Sequence, residues 1–131
     1  MSLSKILREY SEDYDINPSI GYHVTSKNRL NNIKKKGLIP KIPEDYGDSG
    51  DVEGIYFFKS RKHAEDAMMG WFGERIEEWE EENDKDFNEI LLVVDLSEVN
   101  PTNIIDGGED QFEWIVSEVI PYKQIIKIED I

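Results

Sequence analysis

The run from Ile90 to Leu96 is apolar at every position except Asp95, and it constrains the fold more than any other segment. It does not alternate, so it reads as a central strand covered on both faces, and the chain must supply cover for each side of a sheet. One cover is written just upstream. Ala64, Ala67, Met68, Trp71, Phe72, Ile76 and Trp79 recur at helical spacing behind Ser60, a residue suited to capping, with Gly70 and Gly73 as candidate breaks. The other strands are expected at Ile20 to Val24, Gly54 to Phe58, Trp114 to Ile120 and Gln124 to Ile128, the last two divided at Pro121.

A second helix is predicted from Lys27 to Lys36. Ser26 caps its start, Leu30 and Ile33 turn inward, Lys34, Lys35 and Lys36 sit at the negative end of its dipole, and Gly37 stops it. Ser4 to Tyr10 reads as a short N-terminal helix with Ile6 and Leu7 inward. Pro40 to Glu53 has the proline, glycine and acid content of a surface loop, and Pro101 with Gly107-Gly108 marks a turn. The order strand, helix, strand, helix, then mostly strands predicts an α+β fold with a mixed or antiparallel sheet. At 131 residues the chain is expected to be a single domain, 1–131, with 1–19 as an N-terminal helix and extension.

Composition excludes several chemistries. With no cysteine there are no disulfides, thiolate zinc sites or thiol nucleophiles, which fits a cytoplasmic protein. No apolar run approaches the roughly 18 residues of a membrane span. The net charge of −14 argues against nonspecific nucleic-acid affinity, which depends on neutralising phosphates. That charge is unevenly spread: residues 74–86 hold eight acids, whereas residues 27–41 hold six bases and no acid, so an anion is expected to land on the second segment. His23 and His63 stand far apart, with His63 expected to be exposed in the first turn of a helix, and no metal site is expected. There is no Gly-x-Ser-x-Gly elbow and no phosphate loop of either common type.

Three polar or aromatic side chains remain on strand-like runs: His23 with Thr25, Tyr56, and Glu113 at the mouth of Trp114-Ile115-Val116. A carboxylate beside such an apolar run is either solvated at a strand end or kept for chemistry. Glu118 is the second candidate acid, five residues on and therefore on the opposite face of an unbroken strand.

Tyr22-His23-Val24-Thr25, then Glu53-Gly54-Ile55-Tyr56-Phe57-Phe58 with Ser60 and Ala64 following, then Glu113-Trp114-Ile115-Val116, resemble the three signature strands of ADP-ribosyltransferases of the His-Tyr-Glu type. That group includes the poly(ADP-ribose) polymerases and diphtheria toxin. The resemblance covers roughly residues 20 to 128, and Lys36-Gly37-Leu38-Ile39-Pro40 is similar to the link after the first strand in bacterial members. It implies a split, mixed or antiparallel β-sheet with flanking helices, and transfer of ADP-ribose from NAD, consumed as substrate, to a macromolecular acceptor. The acceptor is expected to be protein rather than nucleic acid.

By the same resemblance Glu113, His23 and Tyr56 form the catalytic set. Glu113 would stabilise the developing positive charge, His23 and Thr25 would bind the adenosine ribose, and Tyr56 would stack on nicotinamide. The backbone of Gly21 to Val24 would take the carboxamide, Lys27 and Arg29 the pyrophosphate, and Gln111, two residues before Glu113, would orient an acceptor side chain. The chain departs from the polymerases in lacking a second tyrosine on the helix after Tyr56, where it reads Ala64-Glu65-Asp66-Ala67-Met68 and only Trp71 or Phe72 lies near enough in sequence to substitute. An RNA 2′-phosphotransferase shares the fold but relies on several site arginines, and this chain has only Arg8, Arg29, Arg61 and Arg75. The remaining alternative is a catalytically inactive binding module that contacts a partner protein through the acidic helix.

Overall fold

The computed structural model describes residues 16–41, 53–107 and 112–131. The N-terminal helix expected at Ser4 to Tyr10, Gln111 and most of the loop expected from Pro40 to Glu53 lie outside these residues. Six strands form one sheet: β1 (Ile20–Ser26), β2 (Ile55–Phe58), β3 (Glu89–Asp95), β4 (Ile104–Gly107), β5 (Glu113–Val116) and β6 (Ile125–Asp130). Their spatial order is β4-β5-β2-β1-β3-β6, and every neighbouring pair is antiparallel. Among the described residues three α-helices complete the α+β architecture: α1 (Leu30–Lys36), α2 (Arg61–Met68) and α3 (Trp71–Asn83).

Local chemistry sets the helix ends. Ser26 Oγ accepts from the Asn28 backbone N–H at 3.1 Å and starts a 3-10 turn, Lys27–Arg29, rather than the first turn of an α-helix. Gly37 ends α1 at φ 76°, where its missing Cβ avoids the Ile120 carbonyl oxygen. Ser60 Oγ caps α2 by accepting from the His63 N–H at 3.1 Å, a contact of a kind that contributes about 1 kcal/mol. The expected break falls at Gly70, the cap of α3, and Gly73 lets the first turn of α3 close onto the Met68 carbonyl.

Strand β3 is buried on both faces. Ile90, Leu92 and Val94 pack with Ile33 of α1, Leu38, Ile55, Phe57, Val116 and Ile120, while Leu91 packs with Val24, Phe58 and the α2–α3 stripe Ala64, Ala67, Phe72 and Ile76. Trp71, included in the predicted stripe, is instead 36% exposed.

Two expectations are corrected. Pro101 does lie in a turn, the 3-10 segment Pro101–Asn103, but Gly107 belongs to edge strand β4, paired with Glu113, and Gly108 lies outside the described residues. The strand predicted from Trp114 to Ile120 ends at Val116; the chain leaves the sheet, and Ile120 instead forms a two-way backbone bridge with Leu38 at 2.8 and 3.0 Å. Glu118 is therefore off the strand, and its Oε1 accepts from the Asn100 N–H at 2.9 Å and the Asn103 amide at 3.2 Å, a bracing role for a loop.

Candidate functional site

Strands β1 and β2 are sheet neighbours that share a single register pair, Tyr22 with Phe58, whereas β1 and β3 share seven. Where the ladder between β1 and β2 would continue, a side chain spans the gap: His23 Nδ1 lies 2.8 Å from the Tyr56 carbonyl oxygen. A carbonyl only accepts, so Nδ1 carries the proton and the neutral ring keeps Nε2 as an acceptor. A cleft of about 780 Å³ lies at this seam. His23, Thr25, Tyr56 and Glu113 all line it, although they come from three strands and span ninety residues of sequence.

Glu113 opens β5, paired with Phe58 on one side and Gly107 on the other. At 7% exposure it is a buried carboxylate in a cleft wall, which rules out the solvated strand end. Register puts it on the same sheet face as Phe58, two residues from Tyr56, and opposite to the face of His23. The cleft thus passes through the seam and is reached by groups from both sides of the sheet.

Burial holds the His23 pKa below the ordinary histidine value; the Tyr56 carbonyl opposes this, and the positive charges of Arg29 and Lys41 add to the depression. The ring is neutral at pH 7. On acidification the unfolded chain takes up this proton first, so the stability linked to neutral His23 is complete above the ordinary value of 6.5 and is lost as pH falls below it through the lowered folded value. The thermal unfolding temperature is accordingly expected to drop between about pH 7.5 and about 5.5, and to drop less in His23→Asn. An equal drop in both proteins would refute the linkage. Asp95 and Glu129, lowered respectively by hydrogen bonding to Ser97 and by Lys127 and Arg61, act only in the more acidic carboxylate range.

The other nominated residues divide. Arg29 lines the cleft, but Lys27 is exposed outside it; side chains two residues apart on a helical turn project to different sides. Gly21 is not a cleft residue either: a Cβ there would sit 2.8 Å from the Phe57 side chain, so this glycine serves packing. His63 is buried, not exposed. Its Nδ1 lies 2.8 Å from Ser60 Oγ, and its ring stacks on Phe112 at 4.6 Å between centroids.

Several lining residues were not nominated: Asn32, Lys36, Lys41 and Glu53. Arg29, Asn32, Ile33 and Lys36 follow i, i+3, i+4, i+7 spacing, a pattern that was available to find one face of α1 turned to the cleft. Phe72 of α3 lines the cleft and packs edge-on to Phe58 at 5.9 Å between centroids, whereas Trp71 does not line it. Among the described residues there is no group of three or more His, Asp or Glu disposed to hold a metal ion, and no helix is long and apolar enough to cross a membrane. No protein-family model matches the sequence, and no curated protein matches it significantly.

Proposed function

We propose that the chain is an ADP-ribosyltransferase of the His-Tyr-Glu type that transfers a single ADP-ribose from NAD to a macromolecular acceptor in the cytoplasm. One observation carries the reading: residues of three separate sequence motifs, His23, Tyr56 and Glu113, converge on one cleft at a seam in the sheet. In the reaction, the bond between ribose C1′ and the nicotinamide nitrogen breaks and its electron pair leaves with neutral nicotinamide. An acceptor nucleophile then bonds to C1′ and gives up its proton. The transition state is oxocarbenium-like, and a carboxylate held in a water-poor wall stabilises it more than it stabilises the ground state.

Glu113 is that carboxylate. The neutral His23 ring accepts a hydrogen bond from a ribose hydroxyl through Nε2, and buried Thr25 adds a hydroxyl on the same strand face. Tyr56 and Phe72 bracket the nicotinamide ring. The strongly acidic chain favours a protein acceptor over nucleic acid.

Incubation with NAD labelled in its adenylate part, alone and with cell extract, tests the reading. Expected are released nicotinamide and label fixed to macromolecules; release without fixed label would mean that water is the acceptor, and no release would overturn the assignment. A second reading is favoured by the acidic surface of α3, where Glu74, Glu77, Glu78, Glu81 and Glu82 are exposed. On that reading the chain is an inactive module, giving no nicotinamide release and a salt-sensitive complex with a basic protein.

A further inference from the structure

We propose that Arg29, Lys36 and Lys41 form a phosphate subsite on one wall of the cleft, which takes the diphosphate of a nucleoside diphosphate ligand. The identity of that ligand as the ADP-ribose part of NAD rests on the transferase reading; the subsite itself does not. Its cations are selected by geometry. Of the six bases in residues 27–41, only these three line the cleft; Lys27, Lys34 and Lys35 do not. Arg29 and Lys36 lie on one stripe, seven residues or roughly 10 Å apart along the helix, with the Asn32 amide between them.

Lys41 is held at the cleft by two backbone bridges. Leu38 is tied to Ile120, and Lys41 exchanges hydrogen bonds with Gly54 at 3.2 and 3.1 Å, so the segment after Gly37 is fixed before any ligand arrives. Among the described residues neither Lys36 nor Lys41 forms an ion pair, in a chain whose net charge is −14. Both Arg29 and Lys41 lie close enough to His23 to depress its pKa, so their charges bear on one spot. Like charges gathered on a wall repel, and a dianionic group between them relieves that repulsion.

Glu53 and Glu113 line the same cleft, Glu53 directly before the glycine that Lys41 bridges.

Calorimetric titration of the full chain with ADP-ribose, inorganic pyrophosphate and adenosine tests the subsite. ADP-ribose and pyrophosphate are expected to bind with salt-sensitive affinity, and adenosine at least about tenfold more weakly than ADP-ribose. The double variant Lys36→Gln/Lys41→Gln should keep its melting temperature, since both side chains are exposed, and lose at least about tenfold in affinity for both phosphate ligands. Lys41→Arg in place of Lys41→Gln should restore much of the loss. Unchanged ADP-ribose affinity in the double variant, or adenosine binding as well as ADP-ribose, would overturn the subsite even where nicotinamide release is intact. Loss of pyrophosphate binding in the variant, from a native chain that releases no nicotinamide, would uphold the subsite and overturn the transferase reading.

Discussion

Glu113→Gln is expected to fold and to bind ADP-ribose as the native chain does, while releasing nicotinamide from NAD roughly 10²- to 10³-fold more slowly. Glutamine matches glutamate in shape and keeps one oxygen acceptor, so the β5 pairing with Phe58 and Gly107 survives. What is lost is the charge. In bulk water that would matter little, but Glu113 is 7% exposed, and in such surroundings a fixed carboxylate stabilises a developing cation far more strongly. The melting temperature shows whether the variant keeps its fold. Nicotinamide release measured beside thermal melting separates the two effects; equal turnover in both proteins would remove Glu113 from the chemistry.

Phe57→Ala should lower unfolding stability by about 3–5 kcal/mol, the usual cost of emptying a large aromatic site. Phe57 is fully buried in the core cluster beneath the sheet, lies against Gly21 and packs tilted on the His23 ring at 5.5 Å between centroids. Gly21 has no side chain to fill the space, and the backbone hydrogen bonds of the flanking strands resist collapse into it. Against a total of roughly 5–15 kcal/mol for a domain, this is a large fraction. Urea unfolding should show a lower midpoint with an unchanged slope. A loss below about 1 kcal/mol would mean that the site relaxes freely and that Phe57 does not support His23.

The local signals in the sequence carried far. Ser26, Gly37, Ser60 and Gly70 each mark a helix end where the structure has one, because caps and left-handed glycines act within a few residues. The readings that failed depend on distant partners. Gly107 was taken for a turn, yet it lies in a strand where Ile115 leaves no room for a Cβ. His63 is covered by Phe112, forty-nine residues away, and Lys41 reaches the cleft only through bridges to Gly54 and, by way of Leu38, Ile120. Lys27 and Arg29 could not both face the cleft from one turn, since side chains two residues apart on a helix do not share a face. His23, Tyr56 and Glu113 were each ambiguous alone, and only their order in three motifs singled them out.

The single register pair between β1 and β2 divides the sheet into β4-β5-β2 and β1-β3-β6, but the chain does not respect that division. It passes from one half to the other between β1 and β2, returns for β3, crosses again to β4 and β5, and comes back for β6. Neither half is a contiguous stretch of sequence, so neither can fold first and wait for the other; most strand pairings must form together, at a cost in loop closure. The halves are laced by four covalent crossings where hydrogen bonds are few. A seam with so few hydrogen bonds therefore need not divide the molecule into two separable lobes.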